Sequence, residues 1–199
     1  MKNYRLKIVI ALCLLCGAAF GQGCFMEKKQ EHDMKFSLPT LEVGDSIAAD
    51  QTLALIRQFA ADFVGCMYPT FYYTNSNGKA QNLSQIKTDI TLVNFNYVYD
   101  DEALKQLNEL DSLKKVFGNK ISIVSVFDNK YQNELKPLTD KHSQYINIVS
   151  VTENAFNTYN AGIGFPETFV LDGNKIILHI SHGTSEVNSF YNEILNYVK

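Results

Sequence analysis

Residues 90–127 restrict the fold more than any other stretch. Ile90 to Asn96 is a near-continuous apolar run, as expected of a strand buried on both faces. From 101 the period changes. Ala103, Leu107, Leu110 and Phe117 recur at helical spacing through 117, with Lys105, Glu109, Asp111 and Lys114 expected to face water. Gly118-Asn119 ends that helix, and Ile121 to Phe127 reads as a second buried strand. Two buried strands joined by one helix must run parallel, with a right-handed crossover.

The flanks extend this unit. Asp45 and Ser46 are placed to cap a helix over about 47–64, with Ile47, Leu55, Ile56, Phe59, Phe63 and Val64 as a core-facing stripe. Phe71 to Thr74 and Lys79 to Leu83, joined through Asn77-Gly78, read as a β-hairpin. Residues 130–145 are ambiguous, although Pro137 suits the first turn of a helix better than its middle. Ile146 to Val149 reads as a short strand, and Thr152 as the cap of a helix over 153–159. Thr168 to Leu171 and Lys175 to Ile180 read as strands joined at Asp172-Gly173-Asn174. Thr184 or Ser185 is placed to cap a last helix lined by Val187, Phe190, Tyr191, Ile194 and Val198. The whole describes an α/β sandwich with a mixed central sheet, an N-terminal hairpin and an extra N-terminal helix. With 199 residues, 46% hydrophobic and 20% charged, the chain suffices for one such domain plus short appendages. A net charge of −3 and no Lys/Arg run exclude an electrostatic nucleic-acid footprint.

The N-terminus reads as an export signal. Lys2, Arg5 and Lys7 precede an apolar run from Ile8 to Phe20, too short to span a bilayer comfortably, and Ala19-Phe20-Gly21 fits a cleavage site. The organisation is therefore a signal peptide over 1–21, a polar linker or arm over 22–44, a helix over 45–66 and the main domain over 67–199. Cys13 and Cys16 leave with the signal, so the mature chain keeps Cys24 and Cys66. Gly23-Cys24 partly fits a lipid-attachment signal, although Gly21 stands where an aliphatic residue is usual. Two routes stay open: a lipid anchor at Cys24, leaving Cys66 as a lone thiol, or a Cys24–Cys66 disulfide in an oxidising compartment.

Over residues 68–199 the chain resembles the exported thioredoxin-like proteins of the TlpA and peroxiredoxin-related branch, which are common in bacterial envelopes. The resemblance rests on Pro69-Thr70-Phe71, Asn77-Gly78-Lys79 and Asn82-Leu83, on Phe95, and above all on Gly164-Phe165-Pro166-Glu167-Thr168-Phe169-Val170-Leu171-Asp172-Gly173, with Gly183 after the last strand. It implies a three-layer thioredoxin-like sandwich with a cis bond between Phe165 and Pro166. It also implies that the dithiol pair of this branch is missing. Asn96 and Tyr99 stand at the two tryptophan positions, and Asp100 and Ala103 at the two cysteines. Disulfide exchange needs a thiolate at a helix start and a second thiol to resolve the mixed disulfide; an Asp and an Ala supply neither.

Other chemistry is sparse. Asp100, Asp101 and Glu102 suit a helix start through capping and dipole complementarity, and their consecutive spacing suits a cation poorly. His179 and His182 fall on opposite faces of a strand and are expected to be solvated. Cys66 is expected to be a small buried hydrophobe, with nucleophilic chemistry as the other reading. Tyr72, Tyr73, Tyr97 and Tyr99 are expected near the lost redox site. Tyr97, Tyr99 and Phe165 make a candidate binding face for a protein or an extended peptide beside Pro166, by strand addition. No cofactor, metal or nucleic acid is expected. The sequence thus points to a binding or accessory module, with a thiol enzyme working through Cys66 or a partner's thiols as the alternative.

Overall fold

The computed structural model describes residues 23–34, 46–75, 79–98, 101–183, 192 and 194–198. The signal segment 1–21, the Asn77-Gly78 turn, the caps Thr184 and Ser185, and Val187, Phe190 and Tyr191 lie outside them.

Helix α1 covers 23–34 and α2 covers Ser46–Phe63. Strands β1 (Tyr72–Thr74) and β2 (Ala80–Asn82) pair antiparallel as the hairpin. Then follow β3 (Ile90–Phe95), α3 (Asp101–Phe117), β4 (Ile121–Asp128), α4 (Leu135–His142), β5 (Asn147–Val151), α5 (Glu153–Tyr159), β6 (Glu167–Asp172) and β7 (Ile177–His182). Pro137 sits in the first turn of α4, where its missing N–H costs nothing. Thr152 Oγ1 accepts the Ala155 N–H and caps α5. Residues 194–197 are helical, and Ile194 is fully buried.

The main sheet runs β5-β4-β3-β6-β7. Strands β3, β4 and β5 are parallel, while β6 and β7 close the sheet antiparallel. All six residues of β3 are buried, because helices cover both faces. Val93, Phe95, Val124, Val126 and Phe169 face one core with Phe25, Phe59, Phe63 and Tyr68. Ile90, Leu92, Ile123 and Val170 face the other with Leu107, Leu110 and Leu113 of α3.

Four expectations are corrected. The polar stretch placed in a linker over 22–44 contains α1, whose Phe25 is fully buried among Phe63, Tyr68 and Phe169. Leu55 and Val64 are exposed rather than core-facing: Ile56, Phe59 and Phe63 take the inner arc, and Val64 lies past the end of α2. Asp111 is buried rather than solvated. It lies one turn after Leu107, and His142 of α4 meets it there, Nδ1 to Oδ2 at 2.6 Å. Lys175 belongs to a turn, with φ +67°, because Asp172 Oδ1 accepts the N–H groups of Asn174 and Ile176 and curls the chain around it.

Candidate functional site

The β3–β6 register pairs Phe95 with Glu167 and so brings the segment after β3 beside the segment before β6. The Phe165–Pro166 peptide there is cis. The Tyr97 and Phe165 rings meet edge to face at 4.5 Å. Phe156 of α5 lies 5.4 Å from Phe165 and 5.7 Å from Tyr97, so the shelf has a rigid floor. Tyr97 remains 36% exposed. The Pro166 carbonyl accepts the Gly183 N–H at 2.8 Å, whereas no hydrogen bond joins the Phe165 N–H or C=O to another described residue. Gly164 has φ +119°, and a Cβ there would collide with His182 Nε2. His182 is therefore packed over this loop rather than simply solvated, and any side chain at 164 would displace it.

Of the positions where a dithiol would sit, Ala103 is 1% exposed in the first turn of α3. Tyr99 and Asp100 lie outside the described residues. Asp101 and Glu102 are exposed at the helix start, where their charge complements the dipole. Tyr72 and Tyr73 do not join the shelf. They belong to the hairpin; the Tyr73 ring packs 5.9 Å from Phe71, and Tyr72 is largely exposed.

Two buried polar systems support the loop, and neither is among the candidate sites of the sequence. On the α3 side, Asn94 Nδ2 donates to Gln106 Oε1 and, at 2.9 Å, to Thr168 Oγ1. Ser125 Oγ donates to Asn94 Oδ1 at 2.9 Å, and Asn96 Nδ2 donates to Asn94 Oδ1 and to Ser125 Oγ. This network ties β3, β4, β6 and α3 together at the end of β3. The signal in the sequence is Asn94 within β3 and Asn96 just after it, two positions apart and so on one face.

On the opposite face, Glu167 is fully buried and both carboxyl oxygens lie 3.1 Å from the Ala161 N–H. Burial pushes its pKa up to about 8. The Ala161 N–H, the Lys29 ammonium and the Gly162 N–H pull it back. The same burial, with the Glu167 charge, raises Tyr68, whose hydroxyl donates to the Tyr159 carbonyl at 2.7 Å. Lys29 belongs to α1, and its Nζ lies 3.6 Å from where a side chain at Gly162 would begin.

Cys24 and Cys66 are joined by a disulfide, with Cα atoms 5.6 Å apart. Cys66 is 3% exposed and Cys24 half-buried. A sulfur in a disulfide cannot also carry a thioether, so the two uses expected of Cys24 exclude each other. Among the described residues no group of three or more His, Cys, Asp or Glu is placed to hold a metal, and no helix is long and apolar enough to cross a membrane.

No protein-family model matches the sequence, and no curated protein matches it. Solved structures do match. The thioredoxin domain of a thiol-disulfide oxidoreductase from Bacteroides vulgatus is 18% identical, with a TM-score of 0.59, over 68% of this chain and 98% of that one. A thiol:disulfide interchange protein from a Bacteroides species is 19% identical, with a TM-score of 0.58, over 68% and 90%. The exposed lipoprotein thioredoxin of Streptococcus pneumoniae is 15% identical, with a TM-score of 0.55, over 64% and 99%. Strand order, the helices on both faces and these likenesses agree: the chain has a thioredoxin-like fold.

Proposed function

We propose that this chain is an exported binding or accessory module of the bacterial cell envelope, built on an oxidoreductase scaffold whose dithiol site has been lost. The observation that carries the reading is the Tyr97–Phe165 shelf beside a helix start where the buried Ala103 offers no thiol. An extended peptide laid along the loop could bond to the Phe165 N–H and C=O by strand addition and seat a side chain against the two rings. The likeness to the pneumococcal lipoprotein and the export signal support the location. In this reading Cys24 serves the disulfide rather than a lipid anchor.

The test has two arms. The purified mature protein should not reduce insulin disulfides above the level of a Cys66→Ser control. In a screen of extended peptides, binding should weaken about tenfold or more in both Tyr97→Ala and Phe165→Ala, as for aromatic anchors at a binding surface. A second reading, a thiol-disulfide oxidoreductase or peroxidase-like enzyme working through Cys66 or a partner's thiols, is favoured by one observation, the Cys24–Cys66 disulfide itself. Insulin turnover that disappears in Cys66→Ser would establish it and overturn the first.

A further inference from the structure

Helix α1 connects two features that the fold otherwise keeps apart. Its first turn is fastened by the Cys24–Cys66 disulfide near the start of β7, where the Cys66 carbonyl accepts the Ile177 N–H. Its middle carries Lys29, which is buried, pairs with Asp33 Oδ1 at 3.4 Å one turn on, and lies beside Gly162, close enough for its charge to act on Glu167. Glu167 in turn holds the Ala161 N–H, at the base of the loop that presents Phe165. Between these points α1 is held by Phe25 in the core and by His32, whose ring lies 4.2 Å from Phe59 and 4.9 Å from Phe63. His32 Nε2 also lies 3.5 Å from Asp62 Oδ2 of α2. A helix this short is marginal alone in water, so its order depends on contacts with the rest of the fold and on the covalent tie.

We propose that the Cys24–Cys66 disulfide is a redox latch: reduction by an external dithiol releases α1, withdraws Lys29 from Glu167, and loosens the 161–166 loop that carries the peptide-binding shelf. The regulatory part rests on the binding role proposed above; the coupling from disulfide to loop does not. The half-buried Cys24 is the point of attack. A thiolate of the reductant bonds to Cys24 Sγ, the Cys24–Cys66 bond breaks, and Cys66 leaves as a thiolate that takes up a proton. The second thiol of the reductant then bonds to the first sulfur and displaces Cys24 as a thiolate, which is protonated in turn. The reductant becomes a disulfide, and two electrons and two protons reside on Cys24 and Cys66.

The apolar neighbours of Phe25 are Phe63, Tyr68 and Phe169. Release of α1 therefore uncovers the sheet face directly beneath Glu167. Without the Lys29 ammonium the Glu167 carboxylate loses one of three groups that favour its charged form, and its hold on the two loop amides changes with it.

Amide hydrogen exchange on the mature protein tests this. The oxidised protein, the protein treated with dithiothreitol, Cys24→Ser/Cys66→Ser, and oxidised Lys29→Met are compared, with the amides of β3 and β4 as the reference for global unfolding. Reduction and the double serine variant should each raise exchange in α1 and at Ala161 and Gly162 by about tenfold or more. Lys29→Met should raise it at Ala161 and Gly162 while α1 stays protected. A disulfide that resists millimolar dithiothreitol under native conditions overturns the latch. So does an α1 that opens while residues 161 and 162 exchange as before, or a Lys29→Met protein indistinguishable from wild type. Peptide binding is read in parallel. If the loop responds but no peptide binds in either state, the coupling stands and the binding role fails.

Discussion

Replacing Cys24 and Cys66 together by serine removes a cross-link between residues 42 apart in sequence. The stabilisation at stake lies mostly in the unfolded chain. A closed loop of that length costs the unfolded ensemble entropy worth about 4 kcal/mol at room temperature. For a protein of this size each kcal/mol moves the melting temperature by about 2–4 °C, so the variant should melt about 8–16 °C lower. The double substitution is the right perturbation, because a single one leaves a thiol beside the buried Phe63 and Tyr68 and adds a packing change of its own. Urea titration under oxidising conditions separates the contributions. If the unfolded chain is less constrained while α1 stays docked, the slope m should rise as the midpoint falls; release of α1 in the folded state lowers m instead, because that surface is exposed before unfolding. Serine costs little beyond this at position 24, which is half-buried, and something more at 66, which is not. A melting temperature within about 2 °C of wild type with unchanged m would refute the argument. It would mean that the disulfide does not form in the protein, or that α1 adds nothing to the cooperative unit.

Three further outcomes concern the loop, the polar network and the start of α3. The pKa of Glu167 is raised to about 8 in the folded protein, so the folded state binds a proton that the unfolded state has lost. Stability should therefore fall from about pH 4.5 to about pH 8 and level off above it; Glu167→Gln should flatten this slope in pH-dependent urea titrations, and an unchanged slope would assign the effect elsewhere. Asn94→Ala leaves Gln106, Thr168, Ser125 and Asn96 short of partners and should cost about 2–4 kcal/mol by chemical denaturation; a loss under about 1 kcal/mol would show that water fills the gap. Asp100→Cys with Ala103→Cys should gain weak disulfide exchange that neither change gives alone, strengthened when Asp101 and Glu102 are neutralised; a double variant that stays reduced in any redox buffer would show that residues 100 and 103 do not share the expected geometry.

The parts of this fold that sequence reveals are those where one period governs a whole segment. Strand β3, helix α3 and strand β4 are legible because Leu92, Val93, Phe95, Leu107, Leu110, Ile123 and Val124 all go inside, and their spacing alone says so. The Gly164-Phe165-Pro166 loop is legible for a different reason, its resemblance to a known run. Helix α1 is illegible by both routes. Its inner face consists of Phe25, Lys29 and His32, at helical spacing but with a single apolar member, so a polar arm is the natural reading. Asp33 partners the Lys29 ammonium locally, but Lys29 is inside because Gly162 and Glu167 lie over it, and His32 because Phe59, Asp62 and Phe63 meet it; those residues are more than twenty positions away, where no local pattern reaches. Asp111 and His142 repeat the lesson on the other face, each reading as surface until the other is placed beside it. Glu167 is the sharpest instance. Its neighbours Pro166 and Thr168 carry the family resemblance, yet its burial depends on Ala161, Gly162 and Lys29, none of them next to it in sequence. The residues that couple the disulfide to the loop are thus the ones that local sequence hides. Their side chains are polar, and their places are set by distant elements.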